Sequence, residues 1–270
     1  MTRILQIDTD YFYLITALLC WGIASFLAIK SNEKKAIIFQ TFGVLILGVF
    51  IIGLWVAVWR PPFSTIGETR IWYAFFLSLM GLMTYLRLKM SYLLVFTNLL
   101  AVIFLIINIC KPEIQSQVLM PVLQSVWFIP HVATYIFAYA VIGCAFVLAV
   151  LELLKFSNHK GHKEFTKDTK CNVLVQIGAT ALGIGLCLGA LWAKKAWGQY
   201  WSWDIKETAA LITWAIFILY IHLQKVRNIN RKFLLILIII GFLSLNFTWY
   251  GVKYLPAGRK SPHTYYDTGR

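Results

Sequence analysis

The chain alternates between long apolar runs and short polar connections. A helix crosses the hydrocarbon core with about 20 apolar residues and satisfies its own backbone hydrogen bonds there, so each long run is a candidate span. We predict eight spans: Tyr11–Ile29, Ala36–Val58, Ile71–Leu86, Tyr92–Ile109, His131–Leu154, Val173–Ala193, Thr208–Leu223 and Phe233–Gly251. The third and seventh, at about 16 residues each, are short for a full crossing, so their ends are the least well defined. The predicted fold class is an all-α integral membrane protein with about eight transmembrane helices.

The spans are predicted to form one polytopic membrane domain over residues 1–270, because no internal repeat, low-complexity tract or long linker separates them. Residues 1–119 form an N-terminal four-helix half, and residues 120–270 hold the last four spans. Asp8 and Asp10 precede the first run, which has no basic start and no cleavage site, so we expect a retained span and not a signal peptide. Arg60–Arg70, with two prolines and a glycine, is predicted to be a turn-rich loop.

Charge sets the predicted orientation of the spans. Only 13% of the residues are charged, against roughly 25% in soluble domains, yet the formal net charge is +14. One set of connections carries 14 Lys and Arg with four acids, and the opposite set carries 11 with seven. The positive-inside rule places the first set in the cytoplasm, so both termini and residues 197–207 are predicted on the extracytoplasmic side. The basic residues of the cytoplasmic set are Lys30, Lys34, Lys35, Arg87, Lys89, Lys155, Lys160, Lys163, Lys167, Lys170, Lys225, Arg227, Arg231 and Lys232.

These observations predict a multi-pass protein of the bacterial inner (cytoplasmic) membrane or an equivalent membrane. Membrane lipid is the expected surrounding partner. No nucleic-acid partner is expected, because the Lys and Arg residues act first as topology signals and no long soluble basic region exists.

The residues from Trp197 to Glu207, here called the tryptophan segment, are crowded with aromatic rings. Four of the chain's 11 tryptophans fall within 12 positions, where even spacing would place fewer than one: Trp192, Trp197, Trp201 and Trp203. One explanation is an aromatic belt at the lipid headgroups. The other is a flat, π-rich surface for a planar ligand, where each stacked pair contributes about 0.5–1.5 kcal/mol beyond area burial.

Asp204 and Glu207 lie in the tryptophan segment, directly before the seventh apolar run. Their spacing is that of a capping box, so both are expected to start the seventh helix. Contact with a bound ligand is a second role open to each. They do not resemble a general acid and base, because nothing nearby supplies a nucleophile or a polar substrate pocket.

Two histidines are predicted on the extracytoplasmic side. His131 follows Pro130 at the mouth of the fifth span, and His263 lies in the tail beyond the eighth. Either alone could be an ordinary interfacial histidine, but a pair flanking an aromatic surface suits bis-axial ligation of a haem iron. Haem propionates need cationic partners. The candidates, each of which could instead contact anionic lipid, are Lys194, Lys195, Lys206, Arg259 and Lys260.

His222 lies in the seventh span near its inner end. It is 15 residues beyond Glu207, which is about 22 Å along a helix, so it cannot share one iron with the outer pair. It either reaches the inner surface with its polar tip or marks a second site for the same ligand.

The run Trp197-Gly198-x-x-Trp201-x-Trp203-Asp204-x-x-Glu207 resembles the WWD signature of the cytochrome c assembly family of haem-handling membrane proteins. It is most similar to the CcsA/ResC branch of System II cytochrome c biogenesis, because it continues into Lys-Glu-Thr and a helix that ends in Tyr220-Ile221-His222. Residues 127–132 and 261–265 resemble the family's two outer histidine segments. The resemblance covers roughly residues 120–270, which would then be the haem-handling half.

This resemblance implies a haem-binding membrane subunit of a cytochrome c synthase. Haem b would be relayed to the extracytoplasmic face as cargo and presented for thioether attachment to the Cys-x-x-Cys-His of apocytochrome c. His131 and His263 would hold the iron over the tryptophan segment, and His222 would belong to an intramembrane haem site. The expected partners are a CcsB/ResB-type membrane subunit and, indirectly, a thiol-reducing thioredoxin-like protein.

No side chain of this chain is expected to act as a catalytic nucleophile, since the cysteines of the cytochrome do so. The chain would be the haem-presenting component of a holocytochrome c synthase (cytochrome c haem lyase). Two alternatives stay open: a haem exporter without a ligation role, and a quinol-oxidising membrane cytochrome b-type subunit. The second would need facing histidine pairs inside the spans, whereas His222 is the only histidine predicted to be intramembrane.

Overall fold

The computed structural model describes residues 2–111, 121–158, 169–226 and 228–259, and these residues form helices and turns with no strand. The eight long helices are α1 (Thr2–Ile29), α2 (Glu33–Val58), α3 (Ile66–Leu88), α4 (Ser91–Cys110), α5 (Phe128–Asn158), α6 (Thr169–Trp197), α7 (Ile205–Leu223) and α8 (Arg231–Asn246). A 3-10 turn, Pro121–Gln124, precedes α5. After α8 come a π-helical turn (Phe247–Gly251), a 3-10 turn (Val252–Tyr254) and the short helix α9 (Pro256–Arg259).

Each of the helices α1 to α7 contains a stretch long and apolar enough to cross a membrane. The same holds for α8 when its π-helical turn is included. The prediction of an all-α membrane protein with about eight spans is therefore confirmed. The orientation of the termini stays a prediction.

The two helices predicted to be short are longer than the apolar pattern indicated: α3 has 23 residues and α7 has 19. A capping box precedes each apolar run, formed by Thr65 with Glu68 in α3 and by Asp204 with Glu207 in α7. Such boxes extend a helix into polar sequence by satisfying its first N–H groups. The prediction that Arg60–Arg70 is a loop is wrong beyond Thr65, where α3 has already begun.

The chain divides into two compact units, Met1–Leu119 (unit 1) and Met120–Arg270 (unit 2). In unit 1, α1 packs on α2 and α4, and α3 packs on the same two helices. In unit 2, α5 packs on α6 and α8, and α7 packs on the same two. Each unit is thus a closed ring of four neighbouring helices.

A buried amide pair connects the helices of unit 1. Gln40 of α2 and Asn98 of α4 exchange two side-chain hydrogen bonds of 2.9 and 2.8 Å. Gln40 Nε2 also donates to the Ser78 carbonyl in α3, and Asn98 Nδ2 donates to Ser25 Oγ in α1. An amide without hydrogen bonds is costly in hydrocarbon. The network therefore favours the one arrangement of the four helices in which both amides are hydrogen-bonded.

A buried carboxylate organises the connection between α2 and α3. Glu68 accepts two hydrogen bonds from the Arg60 guanidinium, at 2.7 and 2.9 Å, in a bidentate pair. Its Oε2 also accepts the backbone N–H groups of Ser64 and Thr65. Glu68 is fully buried, and the bidentate geometry offsets the cost of removing its charge from water.

Side-chain contacts show that neighbouring helices of unit 2 are antiparallel. In the α6–α7 pair, Trp214 Nε1 donates to the Ala179 carbonyl at 3.0 Å, and the later Tyr220 of α7 contacts the earlier Asn172 of α6. In the α5–α8 pair, Phe146 stacks on Phe242, and the later Glu152 of α5 pairs with the earlier Arg231 of α8. The end of unit 2 at which α6 ends and α7 begins, here called the tryptophan end, therefore also holds the start of α5 and the end of α8.

Asn98→Leu in unit 1 is expected to lower the free energy of unfolding by roughly 1–2 kcal/mol, because it leaves the amide of Gln40 buried without its partner. Thermal unfolding of the detergent-purified chain measures this effect.

Asn108→Leu is the matched control. Asn108 is as deeply buried, yet neither atom of its amide has a hydrogen-bond partner among the described residues. Its replacement should be neutral or stabilising. Equal losses in the two variants would contradict the role given to the Gln40–Asn98 pair.

Candidate functional site

The tryptophan segment is a tight connection between two capped helices. Trp197 is the last residue of α6, and Gly198 follows in a left-handed conformation with φ of 84°. The Lys194 ammonium donates to the Gly198 carbonyl at 2.8 Å and lies 5.3 Å from the Tyr200 ring centroid. These contacts fix the chain where it leaves α6.

A reciprocal capping box starts α7. Asp204 Oδ1 accepts the backbone N–H groups of Lys206 and Glu207, at 2.8 and 2.7 Å. Glu207 Oε2 accepts the backbone N–H and the hydroxyl of Ser202, at 2.8 and 3.2 Å, and reaches back to the Asp204 N–H. The structure thus shows the capping role. The ligand-contact role of Asp204 and Glu207 stays a prediction.

The tryptophan rings meet edge to face. Trp192 and Trp197 have ring centroids 5.0 Å apart with 71° between their planes, and Trp201 and Trp203 have centroids 5.8 Å apart with 83° between them. The four rings therefore do not share one plane. Trp203 has a φ of 60° and is 70% exposed, so a bulky side chain is displayed from a strained backbone.

His131 lies in the first turn of α5, held against α6 on several sides. Its Nδ1 is 2.8 Å from the Gly185 carbonyl oxygen. Its ring stacks on Trp192, with centroids 5.6 Å apart and 21° between the planes. A Cβ at Gly189 would lie 2.7 Å from His131 Cε1, so the imidazole occupies the space that this glycine leaves. Because Trp192 also contacts Trp197, His131 adjoins the tryptophan segment.

The contact at Nδ1 assigns the tautomer of neutral His131. A carbonyl oxygen can only accept, so Nδ1 carries the proton and Nε2 keeps its lone pair. Metal-bound histidines are oriented in the same way, with one ring nitrogen donating to a carbonyl or carboxylate and the other on the metal. Neutral His131 therefore has the tautomer that binding of a metal through Nε2 requires.

Gly185 and Gly189 are site residues that no pattern above predicted. They form a Gly-x-x-x-Gly pair, which is the sequence signal for close helix approach in membranes. A Cβ at Gly185 would lie 2.5 Å from the ring of Tyr135, the residue one turn beyond His131. Both glycines are thus required for the rings of α5 to lie on α6.

Aromatic side chains continue from His131 into unit 2. Tyr135 contacts His131 edge to face, with ring centroids 4.9 Å apart. Tyr139 contacts Tyr135 at 5.8 Å and Trp249 of the π-helical turn at 5.3 Å. A π-helical turn often marks a functional site, and here it brings Trp249 to the row of rings on α5. A continuous row of aromatic rings therefore runs from His131 along α5 to Trp249.

His222 lies far from His131, in the last turn of α7 at the end of unit 2 opposite the tryptophan segment. It is exposed, and its Nδ1 is 2.8 Å from the Ile218 carbonyl, which again leaves the lone pair on Nε2. Two residues before it, the Tyr220 hydroxyl donates to Asn172 of α6. This buried contact holds the last turn of α7 against α6.

A second buried polar contact lies at the same end of unit 2. Arg231 at the start of α8 forms a bidentate ion pair with Glu152 of α5, with both N–O distances 2.9 Å. The pair is largely buried. It joins α5, which packs on α6, to α8, which packs on α7. It stiffens the end of the bundle that carries His222.

The cations predicted as propionate partners are placed unequally. Lys194 is engaged with Gly198 and Tyr200, as described above, and Lys195 is exposed in the last turn of α6. Lys206 lies in the first turn of α7. The Arg259 side chain, Lys260 and the second predicted ligand, His263, lie outside the described residues. The pairing of His131 with His263 stays a prediction.

Fold and site together define a helical membrane protein that carries an oriented imidazole beside a tryptophan segment. The chain belongs to the cytochrome c assembly family: the family model described as Cytochrome C assembly protein matches residues 11–259. The resemblance found in the sequence is thereby confirmed.

Curated relatives agree with this assignment. The chain is 30% identical over 262 residues to the cytochrome c biogenesis protein CcsA of Solanum lycopersicum, covering 81% of this chain and 83% of that protein. It is 35% identical over 170 residues to the protein of the same name from Chlamydomonas reinhardtii, covering 61% and 48%. The solved structure of the cytochrome c heme lyase CcmF superposes with a TM-score of 0.73 at 13% identity, over 90% of this chain and 46% of that one. That likeness shows the fold alone.

Gly189→Ala is expected to displace the His131 imidazole and to lower the free energy of unfolding by about 1–3 kcal/mol, because the new methyl group overlaps the ring. Thermal unfolding of the purified chain measures the loss.

Gly53→Ala in α2 is the matched control, since a Cβ there meets nothing within 4 Å. It should be neutral or stabilising by roughly 0.5–1 kcal/mol. If both alanines had the same effect, His131 would not fill the space beside Gly189.

Proposed function

We propose that the chain is the haem-binding membrane subunit of a cytochrome c synthase. It relays haem b to the extracytoplasmic face and presents it for covalent attachment to apocytochrome c. Family membership supports a role in cytochrome c biogenesis, and the relatives' printed names state that role for those proteins. The single observation that carries the proposal further is the orientation of His131 at the tryptophan end.

The described residues fit haem as a substrate. Nε2 of His131 keeps the lone pair that ferrous or ferric iron requires, and the surrounding rings of Trp192 and Tyr135 are apolar like the porphyrin. The buried Nε1–H of Trp201 has no hydrogen-bond partner among the described residues. An N–H donor of this kind suits a propionate oxygen. Lys195, Lys206, Arg259 and Lys260 are the proposed cations for the same group, with Lys194 available only if it leaves Gly198.

The contribution of this chain to the reaction is positioning. His131 from α5 and His263 from the tail hold the iron, and Trp197, Trp201 and Trp203 with Asp204 and Glu207 form the surface beside it. In the reaction itself, each cysteine S–H of the cytochrome adds across a vinyl C=C bond of haem, forming a C–S bond and placing the hydrogen on the other carbon. Oriented presentation converts this bimolecular addition into an effectively unimolecular one.

His222 is proposed as a ligand of a second, intramembrane haem site through which the cargo passes. Its tautomer leaves Nε2 for iron, and its exposure on α7 allows a ligand from a CcsB/ResB-type subunit to complete the site. The Tyr220–Asn172 and Arg231–Glu152 contacts fix the helix end that carries it. The other proposed partners are apocytochrome c and, indirectly, a thioredoxin-like reductant, at the bacterial inner membrane or its equivalent.

His131→Ala is expected to lower haem affinity at the tryptophan end by about 100-fold, the upper range for disturbing even an outer-shell contact of a metal site. Haem titration of the purified chain, followed by the Soret and α bands, measures this loss. Added imidazole should restore the bands, because it replaces the lost ligand. Maturation of a reporter cytochrome c should fall in the same variant.

His222→Ala is the control for position. It should abolish a separate haem population without changing the bands assigned to His131, since the two histidines lie at opposite ends of unit 2. If His131→Ala matured cytochrome c normally while haem still reached the outer side, a haem exporter without a ligation role would be the correct function.

A further inference from the structure

One carboxylate oxygen spans the left-handed residue of the tryptophan segment. Glu207 Oε2 accepts the backbone N–H of Ser202 at 2.8 Å and that of Asp204 at 3.4 Å, the N–H groups of the residues on either side of Trp203. The Ser202 hydroxyl adds a third contact at 3.2 Å. The carboxylate therefore binds the chain immediately before and immediately after the residue whose φ is 60°.

This arrangement is one that a turn with a left-handed residue forms with an anion. In such turns neighbouring N–H groups converge and create a small anion-binding concavity. In this chain the anion is the side chain of Glu207, which lies in the first turn of α7. A left-handed conformation is unfavourable for a residue with a large side chain, so the carboxylate offsets part of the strain at Trp203.

The corresponding carboxylate of unit 1 binds the chain differently. Glu68 Oε2 accepts the N–H groups of Ser64 and Thr65, which are consecutive residues, and neither of them has a positive φ. A capping glutamate thus does not require a left-handed residue in the turn before its helix. The spacing at Glu207, whose two N–H donors lie on either side of Trp203, is a separate property of the tryptophan segment.

Two further contacts hold Trp203 in the same place. Its carbonyl oxygen accepts the hydroxyl of Thr208 at 3.4 Å, and its ring meets Trp201 edge to face. Trp203 is nonetheless 70% exposed, whereas Glu207 is only 7% exposed. The buried glutamate therefore has little surface with which to contact a large planar ligand, and the exposed indole has much.

We propose that Glu207 is a positioning residue that holds the Trp203 indole in the exposed orientation in which it contacts haem. The carboxylate acts through the backbone of residues 202–204 and does not itself contact the cargo. This inference rests on the proposed function, which supplies the ligand that the indole meets. It assigns Glu207 a supporting role beneath the surface proposed above.

The first test uses the haem-free full chain in lipid nanodiscs, with 5-fluorotryptophan in place of tryptophan. The fluorine resonance of residue 203 is identified by its loss in Trp203→Phe. Glu207→Asp keeps a negative charge at the start of α7, where it favours the helix, but its shorter side chain does not reach the Ser202 N–H. We expect the Trp203 resonance to broaden and to shift toward that of 5-fluorotryptophan in water, because the ring leaves its contact with Trp201.

Glu207→Gln is the second variant, and Ser202→Ala is the matched control. Glu207→Gln keeps the length of the side chain and removes its charge, so the same change is expected to a smaller extent. Ser202→Ala removes the hydroxyl contact and leaves both backbone N–H groups in place. The Trp203 resonance should not move in this control.

The second test is a double-mutant cycle on haem affinity, measured by titration of the purified chain and followed by the Soret band. Trp203→Ala should weaken binding by up to about tenfold, the loss expected for one aromatic stacking contact. Glu207→Asp should cause a loss of similar size. The double variant should bind no more weakly than Trp203→Ala alone, because Glu207 acts only through the indole. A purely structural role for Glu207 would add its own loss to that of Trp203→Ala.

Three results would each overturn the inference. The first is an unchanged Trp203 resonance in both Glu207 variants. The second is a shift in Ser202→Ala as large as that in Glu207→Asp, because the hydroxyl and not the pair of N–H groups would then hold the residue. The third is a loss of affinity in the double variant that equals the product of the two single losses.

The two tests also separate this inference from the proposed function. If the resonance responds to Glu207→Asp but the unmodified chain binds no haem, Glu207 still positions Trp203 and the proposed function fails. If the haem bands form and depend on His131 while the Trp203 resonance is indifferent to both Glu207 variants, the proposed function stands and the positioning role fails.

Discussion

The close packing of α5 against α6 at Gly185 and Gly189 is the constraint on which the tryptophan end depends. These two glycines let the rings of His131 and Tyr135 lie directly on the backbone of α6. The Gly185 carbonyl is then within hydrogen-bond distance of His131, and the tautomer of the imidazole follows. A larger residue at position 189 would move the His131 ring away from Trp192, and one at position 185 would displace the Tyr135 ring. The packing of α5 on α6 therefore also determines which nitrogen of His131 carries the proton.

Buried carboxylates provide the second recurring element. In both units a glutamate closes the capping box of the third helix and turns the preceding connection into a defined structure. In unit 1 that glutamate is neutralised within the connection itself. In unit 2 the corresponding charge is held by N–H and O–H groups alone among the described residues. Among the described residues, the connection before α3 and the tryptophan segment thus differ by one cation, Arg60.

The eight spans follow from the sequence because apolar length is a local property, and the capping boxes extend two of them. His131, His222 and the tryptophan segment stand out for a similar reason, since residue type and spacing carry the signal. Gly185 and Gly189 are different: their pattern is visible, but the ring that each accommodates comes from another helix. The Gln40–Asn98 pair likewise cannot be predicted from local sequence. Each is an isolated polar residue in an apolar run, and nothing near it indicates its partner on another helix. The left-handed backbone of Trp203 follows from no pattern in its neighbours.

The left-handed backbone of Trp203 has an energetic consequence. Glycine would occupy the same conformation with less strain, so folding alone does not favour a large ring at position 203. The indole at this position is 70% exposed, so a large ring is displayed at a cost in local stability. Stability given up for a displayed side chain is typical of positions whose side chain serves a role other than folding.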